Sequence, residues 1–527
     1  MRHRLLISGI VLLLVVPAGA AASGKGKAPK PSWHPPLSNV KVESIGPTRA
    51  GGTHAPAARP GSFTSIPLSV GPNQNVIVGD VTNTFDHPNG PACFVGDQTP
   101  QNETTISMDP SDSLNLIGGA NDYRYFVVSE GRYDGAAGAY VSHDGGQNWA
   151  NVFMPGISEQ AGGTYQGIGD PAFAWDPSGD VVYYANIAFN RQANPATGHS
   201  AFASSVVVSK SESKGDTWET HYVVQDDDPS IFHDKEWIAV GPDGAVYVTW
   251  ARFRFGQGGP FGYLESPIVI SKSTDQGETW SEAKVISAGP YTQFSTPVVA
   301  PDGTVYVSYE LWKSPAGIAG GRAFVAKSTD GGETWTNHFV ALVNDLRSPL
   351  PGSAFRVASY PVLDVGDDGT LHMVWSNWQG GTGDIVYTRS GDGGDTWTRP
   401  VKINQESVKS DQFFQWIDAS GDFLHVGFVD RQYTGNTLLD HSYVVSTDGG
   451  DTWSQTERVS TESSRSDASQ FGTNCTGEFI GDYTGIVADG ATAHVLWMDG
   501  RPGTQPTSPS GDNDDQDAFH ATVSVDE

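Results

Sequence analysis

Positive charge is scarce in this chain. Its 31 lysines and arginines face 60 acidic residues, a formal net charge of −29. Such a surface repels nucleic acid and anionic membrane, so neither is an expected partner. Charged residues of both signs make up only 17% of the 527 residues. Cysteine is rarer still, with Cys93 and Cys475 alone. Two thiols are too few for a disulfide-built scaffold or a cysteine-rich zinc site. Phosphate-loop and dinucleotide fingerprints are absent. No stretch carries a 3.6-residue apolar stripe, which excludes a helical bundle.

Long apolar runs are missing too, except at the start. "MRHR" is a basic lead, "LLISGIVLLLVVPAG" an apolar run and "AGAAAS" a set of small residues. This predicts a secretion signal over 1–22 and an extracellular protein, a retained anchor being the alternative. Residues 23–60, rich in Pro, Gly, Ala and Lys, read as a flexible linker. Residues 61–527 read as one folded unit, expected to be a monomer.

Glycine (63) and tryptophan (15) are plentiful, and they recur in register. "STDGGDTW" from Ser446 has close copies at Ser142, Ser273, Ser328 and Ser390, and a looser one, "SESKGDTW", at Ser211. The box tryptophans, Trp149, Trp218, Trp280, Trp335, Trp397 and Trp453, lie 55 to 69 residues apart. Between boxes runs a second repeat of two apolar strands around an Asp/Pro/Gly turn, as in "EWIAVGPDGAVYVTWAR" from Glu236. Seven such hairpins occur, from Glu103 to the one at Asp482. Hairpin, strand, box and strand make a four-stranded blade. The reading is all-β, a seven-bladed propeller, with six blades as the alternative.

The last unit ends without a box or a fourth strand. A pre-repeat segment such as "NQNVIVGD" from Asn73 is expected to supply the missing edge. Cys93 and Cys475 precede the first and last hairpins, so they are expected to meet at the seam. A bridge there would add ~4–5 kcal/mol in the chain-entropy model; two free thiols are the alternative.

A box copied six times suits a structural duty: Asp and Ser tie turn N–H groups, Gly supplies unusual backbone angles and Trp packs between blades. Ser213 replaces the Asp of the second copy, which predicts a less firmly held turn. Ser-x-Asp-x-Gly-x-Thr-Trp is the Asp-box, or bacterial neuraminidase repeat. From Glu103 onward the chain resembles the sialidase-like propeller families.

That resemblance implies a secreted glycoside hydrolase acting on acidic (sialylated or uronic) glycans. A non-catalytic glycan- or protein-binding propeller and a polysaccharide lyase are the alternatives. The site is expected on the face opposite the boxes, at the channel mouth. Arg124, Arg252, Arg431 and Arg501 each follow a second strand and would grip an acidic sugar, with Asp234 as a further binding residue. Alternatively, each arginine braces a loop against a nearby acid. Sialidase chemistry would assign Tyr483 as nucleophile, Glu310 as its base and Asp122 as proton donor. The Arg-Ile-Pro tripeptide usual in sialidases is absent, and the first hairpin opens instead with "QNETTI", presenting Glu103. "HDKEW" from His233 would serve proton abstraction in a lyase. No cofactor is expected. The acidic loops "DDD" from Asp226 and "GDNDDQD" from Gly511 are calcium candidates, or solvated turns.

Overall fold

The computed structural model describes residues 40–42, 56–78, 99–127, 132–193, 198–256, 262–312, 320–468, 470–471, 477–501 and 515–526. The leader, Cys93, Cys475 and the run 511–514 lie outside them. No helix among the described residues is long and apolar enough to cross a membrane.

Seven four-stranded antiparallel blades form a ring. Their inner strands are Gln101–Met108, Gly167–Trp175, Ile231–Val240, Thr292–Val299, Val362–Val365, Gln412–Ser420 and Gly485–Asp489. We call the blades 1 to 7 in that order. Side chains alternate between the two faces of each sheet, so adjacent blades bury apolar layers between them. Trp250 and Trp375 are almost wholly buried in these layers.

The ring closes with a strap from the N-terminal side. Blade 7 supplies Gly485–Asp489, Thr492–Asp499 and Asp517–Val525, and Leu68–Val70 pairs antiparallel with the last of these. Gln74–Asn75 pairs further along the same strand. Upstream, Arg59–Pro60 lies parallel to Val401–Lys402 of blade 5, and Ser62–Phe63 parallel to Thr452–Trp453 of blade 6. The segment therefore crosses blades 5, 6 and 7 in turn. It reaches blade 1, where Asn151 Nδ2 donates to Val76 O at 2.9 Å.

The boxes are turns, held as their composition demands. In blade 3, Asp275 Oδ1 accepts from Thr279 N at 2.9 Å, and Ser273 Oγ accepts from Gly277 N at 2.8 Å. Trp280 Nε1 donates back to Gly277 O at 3.0 Å. The Asp and Ser bonds recur at Asp330, Asp392 and Asp448, and the tryptophan bond at the first two of these. In the second copy Ser213 Oγ rebuilds the key bond, accepting from Thr217 N at 2.9 Å. That turn is held by one oxygen where the others have two.

Candidate functional site

Five of the seven inner strands break register at equivalent points. The shifts fall at Asn102/Thr105, Gly169/Ala172, Asp234/Trp237, Gln293/Thr296 and Phe413/Trp416. The bulged residues Glu103, Asp170, Lys235, Phe294 and Phe414 all have φ between 53° and 57°. None is glycine, and holding a side chain there costs roughly 1–3 kcal/mol. Tyr360 and Tyr483 occupy the matching positions in blades 5 and 7, two residues before Val362 and Gly485. Seven blades thus present seven residues to one axial mouth: a charged arc from blades 1–3 and an aromatic arc from blades 4–7.

The charged arc converges on one ammonium. Lys235 Nζ lies 2.9 Å from Glu103 Oε1, 3.1 Å from Asp170 Oδ1 and 2.9 Å from Asp482 Oδ2. Arg356 grips Asp482 with two bonds, Nε to Oδ1 at 2.9 Å and Nη2 to Oδ2 at 2.6 Å. Gly481 makes this reach possible: a Cβ there would sit 2.5 Å from Glu103 N. Glu103, Asp170, Lys235 and Asp482 are buried, whereas the Arg356 side chain keeps 37% of its exposure. Asp234 and Tyr123 are half-buried at the same mouth.

Below the cluster the channel is plugged. Trp237 of blade 3 and Trp416 of blade 6 meet across the axis with ring centroids 4.3 Å apart. The Tyr483 ring stands edge-on to Trp237 at 5.4 Å. A ligand entering from this face meets charge first and an aromatic floor beneath it.

Burial and uneven pairing with the cations separate the carboxyl groups in acidity. Burial pushes Asp234 up to about 8, and the neighbouring Asp170 charge adds to the rise. Burial would also raise Asp482, but Arg356 and Lys235 outweigh it and hold that carboxyl well below its usual range. Burial raises Glu103 despite Lys235. Lys235 is itself pushed down by burial, but Asp170, Asp482 and Glu103 more than reverse this. Asp234 therefore carries a proton at neutral pH while Asp482, bound to the two cations, does not.

Of the residues singled out in the sequence, Tyr483 and Asp234 lie at this mouth. Tyr483 is buried, and its hydroxyl donates to Pro171 O at 3.4 Å. Burial raises its pKa, and the charges of Glu103, Asp170 and Glu236 add to this. Glu310 is not its neighbour. It faces Asp345 instead, with burial and that second carboxyl both raising it. Asp122 is buried and engaged, accepting from Arg124 Nε at 2.9 Å and Tyr140 Oη at 3.0 Å.

The four arginines do not meet. Arg124 pairs with Asp122 at 2.6 Å, and Arg501 with Asp499 at 2.5 Å. Both also clamp the strap: Arg124 Nη1 donates to Val78 O and Arg501 Nη2 to Asn73 Oδ1, each at 3.0 Å. Arg431 is buried over Phe355, 3.7 Å from Asp411. Arg252 has no ion pair among the described residues, but it sits beside His233 on the blade 2 side, near Asp226. His233 is buried and its Nδ1 accepts from Trp250 Nε1 at 2.9 Å, whereas Asp234 and Lys235 of the same motif lie at the mouth. Of the "DDD" carboxylates, Asp226 accepts from Asp228 N, Asp228 accepts from Ser230 N, and Asp227 Oδ1 lies 2.8 Å from His199 Nδ1.

Arg356 went unnoticed in the sequence because it lies in the loop before an inner strand. The usable signal is "FRVASYP", a basic residue four before the bulge position Tyr360.

Residues 203–420 match the family described as BNR repeat-like domain. The sialidase of Micromonospora viridifaciens is 32% identical over 145 residues, 23% of this chain and 21% of that protein. A sialidase of Bacteroides fragilis is 22% identical over 407 residues, 71% of this chain and 66% of the relative. The chain is a seven-bladed β-propeller with BNR repeat-like blades over residues 203–420. The aligned stretches span about a fifth and just under two thirds of those two relatives. Among solved structures, a Hadza microbial sialidase is 18% identical with a TM-score of 0.43, covering 78% of this chain and 74% of its own. The Trypanosoma rangeli sialidase solved with sialic acid is 12% identical with a TM-score of 0.40, covering 72% and 56%. This BNR-repeat propeller carries its charged cluster on the axis, opposite the Asp-box turns.

Proposed function

We propose that this propeller is an extracellular glycoside hydrolase acting on acidic glycans at the axial mouth. The observation that carries the reading is the split between Asp234 and Asp482. Asp234 is half-buried, raised to about 8 and so protonated at neutral pH. It is the proton donor for a glycosidic oxygen, which leaves with that proton as the bond to the anomeric carbon breaks; a water oxygen then bonds to that carbon and gives a proton back to Asp234. Arg356, the exposed cation of the cluster, faces the carboxylate of the sugar. The Trp237–Trp416 floor stops the sugar ring and shields the breaking bond from bulk water.

A second reading, a glycan-binding propeller without turnover, draws support from the ion pairs. Both oxygens of Asp482 already engage Arg356, and Lys235 adds a third contact. A carboxylate so occupied is a poor base. Fluorogenic sialosides and uronides, followed by glycan-array binding, separate the two. The hydrolase reading expects release of the fluorophore and a loss of about 10²–10⁴-fold in Asp234→Asn, the range for a general acid. Binding without release, unchanged by Asp234→Asn, supports the second reading.

A further inference from the structure

The outer strand of blade 2, Glu219–Asp226, faces the box turn of blade 3. Glu219 and His221, two residues apart, share that face of the strand. His221 Nε2 lies 3.7 Å from Glu219 Oε1, and its Nδ1 lies 4.0 Å from Glu278 Oε2 in the box. One ligand atom from each of the three residues falls within 4.8 Å of the other two. His221 Nε2 is buried and has no hydrogen-bond partner among the described residues.

Blade 4 contains a natural control. His338 holds the equivalent place on its outer strand and faces Asp395, which occupies the box position of Glu278, at 3.6 Å. Two residues earlier blade 4 has Thr336, whose hydroxyl satisfies His338 Nε2 at 3.0 Å. Blade 2 replaces that hydroxyl with a second carboxylate and leaves the imidazole nitrogen unmatched. A structural duty shared by both blades would not need this difference.

We propose that Glu219, His221 and Glu278 bind a divalent transition metal that staples blade 2 to blade 3. An imidazole with two carboxylates suits Zn²⁺, whereas the nitrogen ligand disfavours Ca²⁺ and Mg²⁺. Bonds of roughly 2.0–2.2 Å draw the three ligand atoms closer than they stand now. Both glutamates can follow, since their side chains are 69% and 49% exposed. The competitor is Lys210, whose ammonium pairs with Glu278. The sequence hid this site because its third ligand comes from the next repeat.

The test is calorimetric titration of the tag-free, chelator-treated chain with ZnCl₂, and with Co²⁺ read by its visible absorption. The expected result is a saturable site for one metal ion. His221→Ala should weaken it by about 100-fold or more, because losing even an outer hydrogen-bond partner of a ligand costs 10–100-fold. Glu219→Thr, which copies blade 4, should also weaken it. Lys210→Met should tighten it and His338→Ala should leave it unchanged. Each variant is checked for a native circular dichroism spectrum. The proposal is overturned if the wild-type chain binds no metal, or if His221→Ala binds Zn²⁺ as tightly as wild type.

Discussion

Lys235 Nζ lies 2.9 Å from Asp482 Oδ2, although one residue comes from blade 3 and the other from blade 7. Such a pair exists only if the ring is closed. With Glu103 and Asp170 also on the ammonium, three carboxylates share one lysine, and Asp482 has Arg356 as well. Removing it should leave buried charge uncompensated. Lys235→Met is therefore expected to cost about 3–5 kcal/mol, the usual loss when one partner of a buried pair is deleted. Urea denaturation measures this, and an unchanged midpoint would show that the cluster does not hold the axis.

Arg501 was expected to touch substrate, but it bonds to Asn73 of the closing strap. Arg501→Ala should loosen that strap by roughly 1.5–3 kcal/mol, the range for hydrogen bonds to a charged group. Amide exchange should then quicken selectively at 68–75, with glycan turnover unchanged. Uniform quickening along the chain would contradict a local clamp.

Acid should open the seam between blades 7 and 1. His494 Nδ1 and His520 Nε2 are 3.0 Å apart and buried, and His520 packs edge-on against Trp149 of blade 1. Burial lowers His494 to about 4, partly opposed by Asp489. It lowers His520 to about 3, helped by His494. Both folded values lie below the unfolded value near 6.5. The stabilisation is thus complete above about pH 6.5 and is lost as pH falls towards 3. Thermal melts across that window should show a falling midpoint, less steep in His520→Gln. A midpoint flat from pH 6.5 to 3 would exclude the pair as an acid-sensitive element.

The sequence made the scaffold plain because a blade is a local unit. Hairpin, box and spacing all lie within one repeat, and the seven-bladed count followed from them. The Asp-box turns form as their residues require, Ser213 included. The site was harder to read because it is built by closure. Tyr483 and Asp234 sit at strand starts, so their place at the mouth is legible, but which residues face each other across the axis depends on the register shifts. Asp122 and Arg124, two residues apart, look in sequence like a proton donor and an anion ligand; in the fold they satisfy each other. Glu310 lies at the end of a second strand, where Asp345 from a following loop claims it.

Asp234 keeps a proton at neutral pH because burial in the closed ring disfavours its charge, with Asp170 beside it adding to the effect. Infrared difference titration of the full chain against Asp234→Asn tests this without knowledge of the substrate. The expected result is a protonated-carboxyl band in the wild type that vanishes with a midpoint near pH 8 and is missing from the variant. A midpoint near 4, the value of an ordinary solvated aspartate, would contradict it.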